Sequence, residues 1–307
     1  MGIAQRIKNP RTSNRIKDNF SDKIFNAVNF VFASIFFIVV LYPIIYIVAS
    51  SFSDPVAVIQ GRVRLWPVGF SLMGYEAVFS HSQIISGFIN SIWYMVVGTI
   101  FNLVLTVLAA YPLSRKDLYD KNKVMLLFAF TMLFSGGMIP TFMLVRNLGL
   151  IDTRWALILP WGYSVFNIIV TRTFFQSTIP DEMLESAQID GCNDLKFLLR
   201  IAVPLAKPII AVNVLLYALG HWNAFFSALI YLHSPNLFPL QLVLREVLLM
   251  GQMAEGMVDV HDMERAQFLS VLLRYSLIVV ASAPFMLLYP LVQKFFVKGM
   301  MVGAIKG

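Results

Sequence analysis

Six apolar windows constrain this chain more than any other feature, at 26–49, 88–113, 124–144, 155–175, 209–232 and 269–292. Each approaches or exceeds the roughly 20 residues that carry a helix across about 30 Å of hydrocarbon. They do not alternate with period two, so a closed barrel is excluded and helices remain as the way to satisfy backbone polar groups in lipid. With 58% hydrophobic and only 13% charged residues, the chain departs from a soluble domain, in which about a quarter of residues are charged. The sequence predicts an all-α, polytopic membrane protein with six transmembrane helices.

Orientation follows from lysine and arginine placement. The N-terminal tail, the second-to-third and fourth-to-fifth connections and the C-terminal tail together hold 17 of the 24. Arg62, Arg64, Arg146, Arg154, Arg245, Arg265 and Arg274 lie on the other side. Both termini are therefore predicted to be cytosolic. The net charge of +7 is spread over separate cytosolic segments rather than gathered on one face, which argues against a nucleic-acid partner. The first window is too long for the core of a cleaved signal peptide and is predicted to stay. The single Cys192 excludes an intrachain disulfide, and it has no thiol or histidine neighbour for metal or redox chemistry.

The windows divide the chain into a basic cytosolic arm (1–23), one membrane domain (24–292) and a cytosolic tail (293–307). Residues 51–85 form an extracytoplasmic loop broken by Pro55, Gly61, Pro67 and Gly69. Its Val63, Leu65 and Trp66 suit either the membrane surface or a partner. Gly136-Gly137 with Pro140 interrupts the third window, a break that belongs inside a bundle or beside a cavity, as part of a translocation path or as a packing kink. The second long outer loop, 234–267, holds Glu246, Glu255, Asp259, Asp262 and Glu264. Helical spacing over 240–253 fits a re-entrant or surface helix, and the loop reads either as a docking surface or as a solvated connection.

The polar island at 177–207 carries the most chemistry. Thr178, Pro180 and Asp181 read as a helix start. Gly191 reads as a left-handed stop, and Asn193-Asp194 as a second cap that launches a helix over 195–202 toward Pro204. Met183, Leu184 and Ala187 form a narrow apolar stripe beside Glu182 and Glu185, suited to a groove in a soluble partner. Its acidity disfavours contact with an anionic leaflet.

Glu185, Ser186, Ala187, Asp190, Gly191, Ile201 and Pro204 stand at the spacing of a known motif. This element resembles the coupling (EAA) loop of binding-protein-dependent ABC importer permeases, with Ser186 and Val203 as conservative departures. Asp190 resembles the carbohydrate-uptake form. The C-terminal run 293–307, Trp222-Asn223, Ser51 to Pro55 and Gly69 to Leu72 look like the MalG-type, LplB/YtcP-like branch.

The resemblance implies a type I ABC importer (MetI-like) permease fold in a bacterial cytoplasmic membrane. It implies a second, homologous permease subunit forming a heterodimer, two cytosolic ATPase subunits, and an extracytoplasmic solute-binding protein that delivers a sugar or oligosaccharide. Glu185, Ser186, Ala187, Asp190, Gly191, Ile201 and Pro204 would couple to the ATPase, and Lys298, Gly299, Gly303 and Lys306 of the tail would contact it. ATP and Mg would be bound by the ATPase, with no cofactor or metal on this chain and no catalytic residue. The residues agree: no Gly-Lys dipeptide and so no phosphate-cradling loop occurs, and His81, His221, His233 and His261 form no zinc-binding pair.

Aromatic faces and amides grip sugars, so Tyr163, Asn167, Tyr217, Trp222 and Asn223 are candidates for the substrate path, with Asn213 nearer the cytosol. Interhelical hydrogen bonding and packing are the alternatives at these positions. Other readings of the whole chain differ in class. An amino-acid or peptide permease would share the coupling loop, and a membrane scaffold would use it without transport. An ion-coupled carrier would need ionisable residues deep in several spans, where this sequence has almost none.

Overall fold

The computed structural model describes residues 19–247 and, toward the C terminus, residues 268, 271, 273–287, 290 and 293. Regular structure among them is helical throughout. The tail candidates Lys298, Gly299, Gly303 and Lys306, most of the basic arm, and the acids Glu255, Asp259, Asp262 and Glu264 lie outside the described residues.

Helix α1 runs Phe20–Ser51 and takes in the last four residues of the predicted arm. Asn19 and Asp22 start it with a reciprocal capping box. Among its residues only Ala49, Ser50 and Ser51 are buried, so the helix leaves the rest of the chain at its last turn. The segment predicted as the first outer loop folds into short helices α2 (Pro55–Ile59) and α3 (Met73–Ser80). Val63 is buried there with Ala49, Ala57 and Val58, whereas Leu65 and Trp66 remain exposed. Of the three residues read as one surface patch, Val63 therefore serves the local core.

Helix α4 (Ser82–Ser114) is the central spar, packed mainly against α7 (Val165–Thr178) and α11 (Lys207–Trp222). Only α1 and α4 are single helices long and apolar enough to cross a membrane among the described residues. The other windows are broken. Helices α5 (Lys121–Leu133) and α6 (Met138–Asn147) meet at 109° across Gly136-Gly137, where Gly137 has φ 84°. This break is exposed rather than enclosed by the chain's own bundle, as α5 buries no residue and α6 only Val145.

The fourth window is helical only in its second half. Two 3₁₀ turns, Arg154–Leu157 and Leu159–Trp161, precede α7, because Pro160 and the close approach of Gly162 to Phe101 of α4 displace a regular helix. The fifth window breaks after Trp222, and α12 (Phe225–Tyr231) continues it. Residues 240–247 then form helix α13, whose Leu240, Leu242, Val243 and Val247 are buried, so the start of the second outer loop folds back into the bundle. Helix α14 (Leu273–Leu287) is the last continuous helix among the described residues.

Candidate functional site

At one end of α4, the polar island forms two short helices around a tight turn. Helix α8 (Asp181–Ile189) starts at Pro180, whose extended backbone (ψ 148°) makes the entry without a side-chain cap. Thr178, read as the cap, is instead the last residue of α7. Asp181 and Glu182 occupy the positive end of the α8 dipole. The helix closes as read. Gly191 has φ 73°, its N–H donates to Gln188 O at 2.9 Å, and Cys192 N–H donates to Ala187 O at 2.9 Å. This pair of bonds is a Schellman stop. Asn193 Oδ1 then accepts from Lys196 N–H at 2.8 Å and opens α9 (Asp194–Phe197). A π-helical turn (Leu198–Ala202) and α10 (Val203–Leu205) follow, and the chain bends 83° at Ala206 into α11.

Leu184 and Ala187 do not face outward as the apolar stripe suggested. They pack into the subunit's own aromatic cluster, with Tyr111, Phe175, Phe197 and Ile201, where Tyr111 meets Phe175 edge-on at 5.9 Å. Tertiary packing claims the inward face of a two-turn helix because its other face is acidic. Glu185, Ser186, Ile189 and Asp190 are left exposed, as is Pro204.

The platform beneath α8 is tied to the α4–α5 connection. Lys116 Nζ meets Asp181 Oδ2 at 2.5 Å, and this partner raises the lysine pKa. Arg115 pairs with Asp117 at 3.0 Å, which holds that carboxyl below its usual value. Arg172 Nε donates to Leu113 O at 2.9 Å. A cavity of about 410 Å³ lies between α8 and the ends of α4 and α7, lined by Ser114, Arg115, Lys116, Gln176 and Asp181 among others.

A polar seam runs up the centre of α4. Asn90, Tyr94, Gly98, Asn102, Thr106 and Ala110 are all buried. Asn102 Oδ1 meets His221 Nε2 at 2.6 Å, and its Nδ2 donates to Trp161 O. Thr106 Oγ1 and Tyr217 Oη share a bond of 2.6 Å, and Asn213 Nδ2 donates to Thr171 Oγ1 at 2.7 Å. Gly98 lets the His221 ring lie directly on α4, where any Cβ would overlap it.

Three substrate-path candidates thus have internal partners or are buried. Tyr217 is bonded to Thr106, Trp222 donates Nε1 to Ala281 O at 3.1 Å, and Asn167 is buried in the first turn of α7. Tyr163 is half exposed, with its ring against Phe128 at 6.2 Å, and Asn223 is exposed. Residues Asn90, Asn102, Thr106 and Thr171 were not singled out from sequence. The signal was present, since Asn90, Tyr94, Gly98, Asn102, Thr106 and Ala110 recur at every fourth position of an otherwise apolar run.

At the opposite end of α4, side chains grip backbone from the second outer loop. Asn90 Nδ2 donates to Asn236 O and Phe238 O, Tyr94 Oη donates to Leu237 O, and Ser91 Oγ accepts from Leu240 N–H. Arg154 donates to Asn90 Oδ1 at 3.1 Å and lies 4.8 Å from the centre of the Trp93 ring. Asp152, left-handed at φ 59°, accepts from His233 N–H, Ser234 N–H and Ser234 Oγ. The Ser234 hydroxyl first, then the two amides, hold its pKa at about 2.

Residues 12–302 match the family described as "Binding-protein-dependent transport system inner membrane component". The chain is 39% identical over 287 residues to the polygalacturonan/rhamnogalacturonan transport system permease protein YtcP of Bacillus subtilis (strain 168), covering 93% of this chain and 99% of that one. It is 40% identical over 285 residues to Protein LplC of the same strain, covering 93% and 96%. In three dimensions it is similar to a chain in the crystal structure of a bacterial ABC transporter involved in the import of the acidic polysaccharide alginate. The TM-score there is 0.82 at 36% identity, with 91% of this chain and 99% of that chain covered.

Proposed function

Because the chain belongs to the family of binding-protein-dependent transport system inner membrane components, with its MetI-like fold, we propose that it is the permease subunit of an ATP-driven importer that carries a sugar or oligosaccharide. It forms half of the translocation path beside a second, homologous permease. Six spans cross the bacterial cytoplasmic membrane, with both termini and the 177–207 loop in the cytosol and the 51–85 and 234–267 loops outside. Two ATPase subunits dock below and supply ATP and Mg, and an extracytoplasmic binding protein delivers the cargo.

The observation that carries this reading is the form of 177–207. A two-turn helix is anchored inward by Leu184 and Ala187, stopped by Gly191 and re-launched by Asn193. It holds Glu185, Ser186, Ile189 and Asp190 outward on a rigid cluster. Glu185, Ser186, Asp190 and Gly191 meet the ATPase, while Ala187 and Ile201 brace the element and Pro204 leads it into the bend toward α11. The C-terminal Lys298, Gly299, Gly303 and Lys306 add a second contact. The saccharide cargo follows from the polygalacturonan/rhamnogalacturonan and alginate transport systems that this chain resembles.

Uptake of labelled oligosaccharides into liposomes holding the assembled transporter tests the proposal. It should require ATP, the binding protein and both permeases. Uptake by this chain alone without ATP would replace it with a carrier mechanism.

A further inference from the structure

Helix α11 ends at Trp222, and α12 begins at Phe225. The α11 helix is 16 residues long, so the break lies about 24 Å from its start beside the coupling element at a rise of about 1.5 Å per residue. A broken helix at membrane depth is tolerated only where protein or a water-filled cavity covers the freed backbone. Such a cavity is present. About 500 Å³ of space, within the roughly 300–1,000 Å³ of ligand cavities, lies among α11, α13 and α14. Asn223, Gln241 and Ser282 give it amide and hydroxyl groups, and Leu219, Phe285 and Met286 give it apolar walls.

The polar groups here differ from those of the seam. Asn213, Tyr217 and His221 on the other face of α11 are buried and bonded to α7 or α4. Asn223 is exposed, and only its Nδ2 is used, donating to Leu219 O at 3.0 Å. The Gln241 amide has no hydrogen bond among the described residues. The exposed amide of Asn223, with the half-buried one of Gln241 beside it, marks a wet face on a membrane-embedded surface. Arg245 lies one turn beyond Gln241 on α13 and is exposed, with its guanidinium 5.8 Å from the ring of Phe225, two residues past Asn223. A planar guanidinium beside neutral amides suits a sugar acid, because it can take a carboxylate with two parallel hydrogen bonds.

We infer that the cargo touches this subunit at this cavity and along the exposed turn of α13 beyond it, with Asn223 and Gln241 serving sugar hydroxyls in the cavity and Arg245, outside its lining, selecting a uronate carboxylate. The inference rests on the sugar-importer reading and adds the substrate class.

Trigalacturonate uptake by the full transporter in liposomes is the test. Wild type should import it, Arg245→Gln should lower the initial rate tenfold or more, and Arg245→Lys should recover part of the loss. Co-purified ATPase at the wild-type level verifies that each variant is assembled. A second measurement needs no transport: in a Cys192→Ser background, maleimide labelling of Gln241→Cys in the full complex should slow when trigalacturonate-loaded binding protein and ATP are added. Equal uptake by Arg245→Gln and wild type, or labelling that ignores trigalacturonate, overturns the inference. Import of a neutral oligosaccharide but not of trigalacturonate overturns the uronate assignment and leaves the importer reading intact. Import of no saccharide overturns that reading itself.

Discussion

The two ends of α4 solve opposite problems. At the end next to α13, Asn90, Ser91, Tyr94 and Asp152 satisfy backbone groups of another segment of the same chain, so the polar groups are consumed internally. At the other end, an aromatic cluster of Tyr111, Phe175 and Phe197 supports α8, which pairs Asp181 with Lys116 and leaves Glu182 and Glu185 exposed. One end spends its polar groups inside the chain, and the other leaves Glu182 and Glu185 exposed. Burial alone does not separate them. What separates them is where the hydrogen bonds and charges are spent.

Core truncation should give the largest effect. Phe197 is fully buried under α8, so Phe197→Ala should cost about 3–5 kcal/mol and lower the thermal midpoint of the detergent-purified complex, releasing the ATPase as the platform collapses.

Two glycines sharpen the contrast. A Cβ on Gly87 would lie 2.9 Å from Val243 Cγ2 and 3.3 Å from Leu240 Cα, so Gly87→Ala should push α13 off α4 and destabilise by about 1–3 kcal/mol. Gly191 has open space around its Cβ position, but φ 73° disfavours side chains, so Gly191→Ala should cost only about 1–2 kcal/mol. Its effect should be local, seen as faster amide exchange at Cys192 with α13 undisturbed. Equal exchange changes at both ends would erase the distinction.

The Asp152 clasp should also carry a pH signature. The folded pKa of Asp152 lies below its ordinary value of 3.8, so the clasp contributes fully above that pH and is lost as pH falls through about 2. Protection of the His233 and Ser234 amides should therefore be flat from pH 8 to 5 in wild type and reduced throughout in Asp152→Ala. A midpoint near pH 6 would mean that another group controls the clasp.

Legibility in the sequence followed the range of the forces involved. The apolar windows and the turn at Gly191 with the cap at Asn193 were readable because they depend on neighbours within a few residues. The start of α8 was misplaced because Pro180 sets it by backbone geometry and Thr178 is absorbed by α7. The 83° bend at Ala206 falls between Pro204 and Pro208, local signals, whereas the break after Trp222 comes where that indole donates to Ala281 O of α14, a distant partner that no local pattern encodes. Sugar-gripping chemistry pointed to Tyr217 and Trp222, but the fold spends both on interhelical bonds, whereas Gln241 comes to the open cavity only because α13 folds back.

The central claim is that the exposed acid face of α8 is an ATPase docking surface, and Glu185→Arg tests it most directly. Glu185 is exposed and forms no ion pair among the described residues, so the substitution should change stability by less than about 0.5 kcal/mol. Co-purification with the ATPase should nevertheless fall by tenfold or more. An ATPase that stays bound to Glu185→Arg as it does to wild type would contradict the account.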